Sequence, residues 1–192
     1  MSLTKATYSM IEGAITNVLD FGAVGDGVAD DTAAIQAAID SLPNQTSNQG
    51  TVGEGGQIFF PSGIYKITAP IVIGANDRSV ELIGAGKGRS IINVAFDGIG
   101  INVEGTDSGA GYTKNFVLRD MRLQSTTVTG RTAGTKLLSI KYLQYFTIER
   151  CWFQGETYNG IYIEDALDGR IVDVRLDTAN VGGEGGIVSG ES

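Results

Sequence analysis

The sequence predicts an all-β protein wound as a parallel β-helix, a single-stranded solenoid of short strands with one capping α-helix at its N-terminal end. Three observations lead there. The nonamers FVLRDMRLQ (116–124), FTIERCWFQ (146–154) and GRIVDVRLD (169–177) share one register. In it Leu118, Ile148 and Ile171 form a column, Met121, Cys151 and Val174 a second, and Leu123, Phe153 and Leu176 a third, all apolar. Next, 28 glycines and only 3 prolines lie between short Ile/Val/Phe-rich runs, the pattern of many strands joined by turns. Finally, Ile35, Ala38, Ile39 and Leu42 repeat at helical spacing ahead of Pro43, the only long helical signal.

Taken in order, Val18 to Phe21 reads as a short strand, and Gly22, Gly25 and Gly27 as a turn-rich link to the helix of about residues 31–42. Asp30 or Asp31 is the expected N-cap, its carboxylate accepting backbone N–H bonds at the positive end of the helix dipole. The glycines are spaced GxxGxG, not GxGxxG, and Asp26, Asp30 and Asp31 occupy the end where a phosphate would sit, so capping is preferred to anion binding. The alternating ligands and terminal Glu of an EF-hand loop are missing as well. A second glycine-rich stretch, GAGKGRS (84–90), is not a P-loop, because position 81 is Glu and position 88 is Gly.

From Gly56 the strands GQIFF, GIYKI, PIVI, SVELIG, SIINV and GIGINV follow one another. Each later nonamer reads as one strand followed by a second, LLSI (137–140), GIYI (160–163) and GGIV (185–188), with Leu138, Ile161 and Ile187 in register. Short strands repeating every 20 to 30 residues or so, with turns of varying length, make a solenoid. The leucine-rich-repeat frame is absent, which leaves the parallel β-helix. The division is therefore an arm over 1–17, a strand, turn and capping helix over 18–55, and coils over 56–192. The last repeat has only begun at GGIVSGES, so a truncated C-terminus is expected.

Composition narrows the chemistry. Lys plus Arg number 14 and Asp plus Glu 22, a formal charge of −8, which opposes nucleic-acid binding. No histidine is present, so Ser-His and Cys-His catalysis and imidazole-rich zinc sites are excluded. Cys151 is the sole cysteine; no internal disulfide can form, and its strand-like neighbours mark it as a core residue. Residues 1–16 lack a secretory signal pattern, and no apolar run approaches membrane-spanning length, so no membrane insertion is expected.

Against this background, NVLDFGAVGDGVADDTAAIQAAID (17–40) followed by GGQIFFPSGIYKIT (55–68) resembles the start of the pectate-lyase-like right-handed parallel β-helix family. With the leading MSLTKATYSMIEG, the chain is similar to bacteriophage tailspikes that bind, and often depolymerise, capsule or lipopolysaccharide. The resemblance implies a host surface polysaccharide as partner, a homotrimer, and a virion-facing N-terminal arm that meets a baseplate or tail protein. It also implies assembly in the host cytoplasm without a signal peptide, for a final place in the virion. A cell-encoded polysaccharide lyase or hydrolase of the same fold, or a non-catalytic spike, is the alternative.

Without histidine, hydrolysis would use two carboxylates about 5 Å apart if retaining or about 6.5 to 9.5 Å apart if inverting. Stacked strands about 4.8 Å apart can supply such pairs. A lyase would use Arg or Lys as base, with Ca²⁺ neutralising a uronate; otherwise no cofactor or metal site is expected. The outward carboxylates are Glu149, Glu164, Asp173, Asp177 and Glu184, of which Glu149, Asp173 and Asp177 are the catalytic candidates. Asp120, Arg150 and Asp173 share a column and can pair as a charge ladder. Gln124, Gln154 and Asp177 share another, where a glycan could lie. Arg122, Trp152 and Arg175 form a third, in which the indole is either clamped in a cation–π ladder or offered as a sugar platform. Gln124, Trp152 and Gln154 are thus the substrate-binding candidates.

Overall fold

The computed structural model describes residues 15–43, 55–74, 79–105, 115–125, 135–157, 159–180 and 187–189. It begins with β1 (Thr16–Asn17), a 3-10 turn (Val18–Phe21), β2 (Asp26–Asp30) and α1 (Thr32–Asp40). Three strands follow per turn of chain: β3 (Gly56–Phe60), β4 (Gly63–Ile67) and β5 (Ile71–Ile73), then β6 (Val80–Gly84), β7 (Ser90–Val94) and β8 (Ile99–Glu104). The next two turns are β9 (Phe116–Arg119), β10 (Arg122–Ser125) and β11 (Lys136–Lys141), and β12 (Phe146–Glu149), β13 (Trp152–Thr157) and β14 (Asn159–Glu164). The last described turn is β15 (Gly169–Val172), β16 (Arg175–Asn180) and β17 (Ile187–Ser189).

From β3 onward each strand pairs in parallel with the strand three places later. The first sheet runs β1-β3-β6-β9-β12-β15, the second β2-β4-β7-β10-β13-β16 and the third β5-β8-β11-β14-β17. This all-β arrangement of parallel sheets with one helix is that of parallel β-helix proteins. Among the described residues no helix is long and apolar enough to cross a membrane.

Pairing without slippage turns each inward position into a column. Ile58, Leu82, Leu118, Ile148 and Ile171 stack in the first sheet. Tyr65, Ile92, Leu123, Phe153 and Leu176 stack in the second, and Ile71, Ile101, Leu138, Ile161 and Ile187 in the third. Most of these side chains are buried, each worth about 1.5–3 kcal/mol of transfer free energy. The predicted register is that of the structure.

The nonamers, however, are two strands each, not one. The break falls at Asp120, Arg150 and Asp173, whose φ angles of 58°, 51° and 49° are left-handed. One such residue turns the chain from the first sheet to the second. The ladder continues around the bend, since Asp120 N–H donates to the Glu149 carbonyl and Arg150 N–H to the Val172 carbonyl, at 3.2 and 3.0 Å. Arg has no intrinsic preference for this conformation. At Arg150 its guanidinium bonds Asp120 bidentately at 2.6 and 2.8 Å.

The N-terminal segment also departs from expectation. Val18 to Phe21 is a 3-10 turn, because the Asn17 side chain accepts the Leu19 N–H and Gly22, at φ 97°, closes it. The supposed glycine link contains β2, hidden because Asp26 turns its carboxylate onto the Val28 and Ala29 N–H groups and Gly27 sits at φ 78°. Asp31 occupies the N-cap position without a side-chain cap bond. Its carboxylate instead accepts Val24 and Gly25 N–H at 2.6 and 3.1 Å, tying the loop before β2 to the helix. Asp30 does the local work, accepting Thr32 N–H and the Thr68 hydroxyl.

Helix α1 lies against the free edge of β5. Ile35, Ala38 and Ile39 are buried in the common core. Gln36 acts as a short substitute strand, its Nε2 donating to the Val72 carbonyl and its Oε1 accepting the Val72 N–H, both at 2.9 Å.

Asp31 is 1% exposed, so truncating it strands two backbone donors. Asp31→Ala is expected to cost about 2–4 kcal/mol in urea denaturation, and Asp30→Ala, on exposed partners, about 1 kcal/mol. Equal losses would contradict this assignment.

Candidate functional site

Of the residues singled out in the sequence, Gln124, Trp152, Gln154 and Asp177 lie on the second sheet, Glu149 and Asp173 at its corner with the first, and Glu164 on the third. Trp152 pairs in register with Arg122 on one neighbouring strand and Arg175 on the other, and their guanidinium carbons lie 4.8 and 4.7 Å from the ring centroid. Both faces of the indole are therefore covered, and the ring presents its edge. Its Nε1 donates to Asp177 at 3.1 Å, and Asp177 also takes Arg175 at 2.7 Å. Gln154 accepts Arg122 at 3.1 Å, and Gln124 donates to Asn93 at 3.3 Å. The column Asn93, Gln124, Gln154, Asp177 is thus an amide ladder ending in a carboxylate.

Glu149 and Asp173 sit apart from this mesh. Glu149 bonds Arg150 at 2.8 Å, and Asp173, in the corner column Asp120, Arg150, Asp173, meets Lys87 of the 85–89 loop at 3.5 Å. Arg150 hydrogen bonds hold the Asp120 carboxyl below its usual range. No two of Glu149, Glu164, Asp173 and Asp177 share a partner. Glu184 lies outside the described residues. Burial pushes the Cys151 thiol up to about 12, and its sulfur donates to the Leu118 and Glu149 carbonyls, so it is a core group rather than a nucleophile.

The third sheet carries a cluster of a different kind, of which the sequence singled out only Glu164. Asn102, Ser139 and Tyr162 form one outer column and Glu104, Lys141 and Glu164 the next. The Glu164 carboxylate accepts Lys141 at 2.7 Å and the Tyr162 hydroxyl at 2.8 Å. Lys136, at the start of β11, reaches across so that its Nζ lies 3.7 Å from the Tyr162 ring centroid. Beneath them the Ser139 hydroxyl is fully buried with no hydrogen-bond partner.

These groups perturb one another in a readable way. Burial, then repulsion from Lys141, lowers the pKa of Lys136. The Glu164 hydrogen bond raises Lys141 and is also the chief cause of the raised Tyr162, while both partners lower Glu164. The result is a fixed anion, a fixed cation, a phenol aimed at the anion, and one lysine biased toward its neutral form. Perturbed groups meeting over an unsatisfied buried hydroxyl make this cluster the candidate site. The missed signal was a lysine and a tyrosine 26 residues apart, invisible until the coils stack.

Three parallel sheets stacked coil on coil define the class of parallel β-helix proteins. The chain belongs to the rhamnogalacturonase A/epimerase, pectate lyase-like family, whose profile matches residues 15–191. Among curated relatives, the mannuronan C5-epimerase AlgE1 of Azotobacter vinelandii is 39% identical over 116 residues, 56% of this chain and 7% of that protein. Alginate lyase 7 of the same organism is 33% identical over 127 residues, 62% of this chain and 13% of that protein. Among solved structures, ORF18 of Geobacillus virus E2 superposes with a TM-score of 0.66 at 26% identity, over 79% of this chain and 28% of that one. The chain thus spans only a small share of the length of its relatives.

Since Trp152 is the only tryptophan, intrinsic fluorescence reports on it directly. Replacing both Arg122 and Arg175 by Met is expected to red-shift its emission and to lower stability by about 1–2 kcal/mol in total. Unchanged emission would mean that the guanidinium groups do not cover the ring.

Proposed function

We propose that this chain is the N-terminal β-helix portion of a phage tailspike, a receptor-binding protein that binds uronate-bearing host surface polysaccharide and depolymerises it by elimination. In this reading the coils form a right-handed solenoid, as nearly all crossovers between parallel strands do, and α1 closes its N-terminal opening. Residues 1–17 are the virion-facing arm that meets a tail or baseplate protein. The intact protein is a homotrimer assembled in the host cytoplasm.

The observation that carries the chemistry is the third-sheet cluster. Elimination needs a base for the proton on C5 of a uronate, a cation on its carboxylate and a proton for the departing oxygen. Lys136, biased toward the neutral amine, is the base. Lys141 holds the carboxylate, where charge develops as the proton leaves. The C5 electron pair then forms the C4=C5 double bond, the C4–O bond breaks, and the Tyr162 phenol, oriented by Glu164, protonates the leaving oxygen. Hydrolysis fits less well, because it needs two carboxylates flanking one bond, and Glu149, Glu164, Asp173 and Asp177 are each tied to a separate partner. Among the described residues no three His, Cys, Asp or Glu side chains converge to hold an ion. The second-sheet residues Gln124, Trp152 and Gln154 serve as polar flank and scaffold.

The 39% identity to a C5-epimerase supports a second reading, in which the same proton is removed and one is returned to the opposite face without cleavage. The product decides: a new ultraviolet-absorbing double bond for elimination, none for epimerisation, and reducing ends alone for hydrolysis.

With the intact protein and a uronate polymer, Lys136→Met is expected to lower kcat by about 10²–10⁴ with less change in KM. The base works unprotonated and its pKa is lowered, so the rate should rise with pH and level off below 10.5, the usual lysine value. Reducing ends without a double bond, or full activity in Lys136→Met, would refute this chemistry.

Light scattering of the intact protein at micromolar concentration is expected to give three times the chain mass. A monomer would count against the phage assignment.

A further inference from the structure

A pocket of about 240 Å³ opens at the corner between the third and first sheets, on a face that the third-sheet cluster does not use. Its walls come from three successive coils. Asn115, Tyr145 and Asp168 precede β9, β12 and β15 at the corner, and Val117, Thr147 and Arg170 form the adjoining column. Beneath the pocket the Phe116 and Phe146 rings are packed into the core, 1% and 6% exposed. Glycine at position 169 permits this, because a Cβ there would lie 1.9 Å from the Phe146 ring.

The rim carries two charged side chains, Asp168 and Arg170. Elsewhere most charged columns are paired coil to coil. Among the described residues, neither Asp168 nor Arg170 takes part in an ion pair or a side-chain hydrogen bond, and both are exposed. Tyr145 is 43% exposed, and its hydroxyl accepts Gln144 at 3.2 Å, which anchors the ring at the pocket mouth.

We propose that this pocket binds one carboxylate-bearing pyranose unit, a second glycan subsite separate from the third-sheet cluster. A sugar ring presents an apolar face of C–H groups and an edge of hydroxyls. The exposed Tyr145 ring suits the first, and the free Asp168 carboxylate accepts hydrogen bonds from the second. The unpaired Arg170 guanidinium offers a bidentate fork to a planar carboxylate. A pocket of this volume is below the usual size for drug-like ligands and takes a single ring. The neighbouring Asp168 makes the rim unfavourable for an acidic peptide, whose charges would repeat beyond one unit.

The test uses the whole chain and methyl α-D-galacturonoside, with methyl α-D-galactoside as its neutral counterpart, in saturation-transfer NMR and calorimetric titration. The uronoside is expected to bind, and Arg170→Gln and Tyr145→Ala are each expected to weaken it about tenfold. Binding of the neutral glycoside should respond to Tyr145→Ala and not to Arg170→Gln. Lys136→Met, at the third sheet, should leave both unchanged while removing polymer processing. The proposal is overturned if the uronoside does not bind at up to about 10 mM. Binding that survives both rim substitutions, or that is lost only with Lys136→Met, overturns it equally. Because the variants lie on separate sheets, failure here and failure of the elimination chemistry are told apart.

Discussion

The parallel hydrogen-bond ladder between coils is the constraint on which the rest of this molecule depends. It sets each strand about 4.8 Å from its equivalent and keeps the register constant, so any side chain meets its own positional counterpart above and below. A residue's environment is therefore chiefly the same position one coil away. Inward positions need only be apolar and of compatible volume, which Leu118, Ile148 and Ile171 satisfy without being identical. Outward positions face a stricter rule, because like charges at that spacing repel.

The outer columns show two solutions. Alternating sign is one: Glu104, Lys141 and Glu164 on the third sheet, and Asp120, Arg150 and Asp173 along the corner. Neutral or π-bearing groups are the other. Gln124 donates to Asn93, Gln154 accepts from Arg122, and Trp152 separates Arg122 from Arg175, turning a repulsive pair into two cation–π contacts. The third sheet is incomplete in a specific way, with a buried hydroxyl lacking a partner and a second lysine crowded beside the Lys141–Glu164 pair. The proposed elimination chemistry draws on that surplus.

The ladder also creates a difficulty at its ends, since an end coil exposes unpaired strand edges. Gln36 answers it locally by giving Val72 one donor and one acceptor from a side chain, so that a helix can abut a strand edge without leaving the backbone unbonded. The apolar face of α1 completes the contact by burying Ile35 and Ile39 in the common core. The aspartates of the glycine-rich segment belong to the same device, fastening the loop, β2 and the helix to one another.

The sequence by itself determined the coil. Apolar columns survive as aligned residues because inward packing demands the same class of side chain at each repeat, and the Leu118, Leu123 and Leu138 columns were legible for that reason. The amphipathic helix and the buried character of Cys151 were legible on the same ground. Where a strand stops was not, since Asp120, Arg150 and Asp173 carry no common turn signal, and the left-handed bend is held by coil-to-coil bonds. The 3-10 turn at Val18 was hidden likewise, because Asn17 and Gly22 override a strand-like run. The Lys136–Tyr162–Glu164 cluster was decided only in three dimensions. The loops between the second and third sheets differ in length, so no sequence spacing reveals which side chains will meet. The lowered pKa of Lys136 arises from burial and from a neighbour on its own strand, Lys141, opposed by Glu164 on the next, and such a field exists only once the coils are stacked.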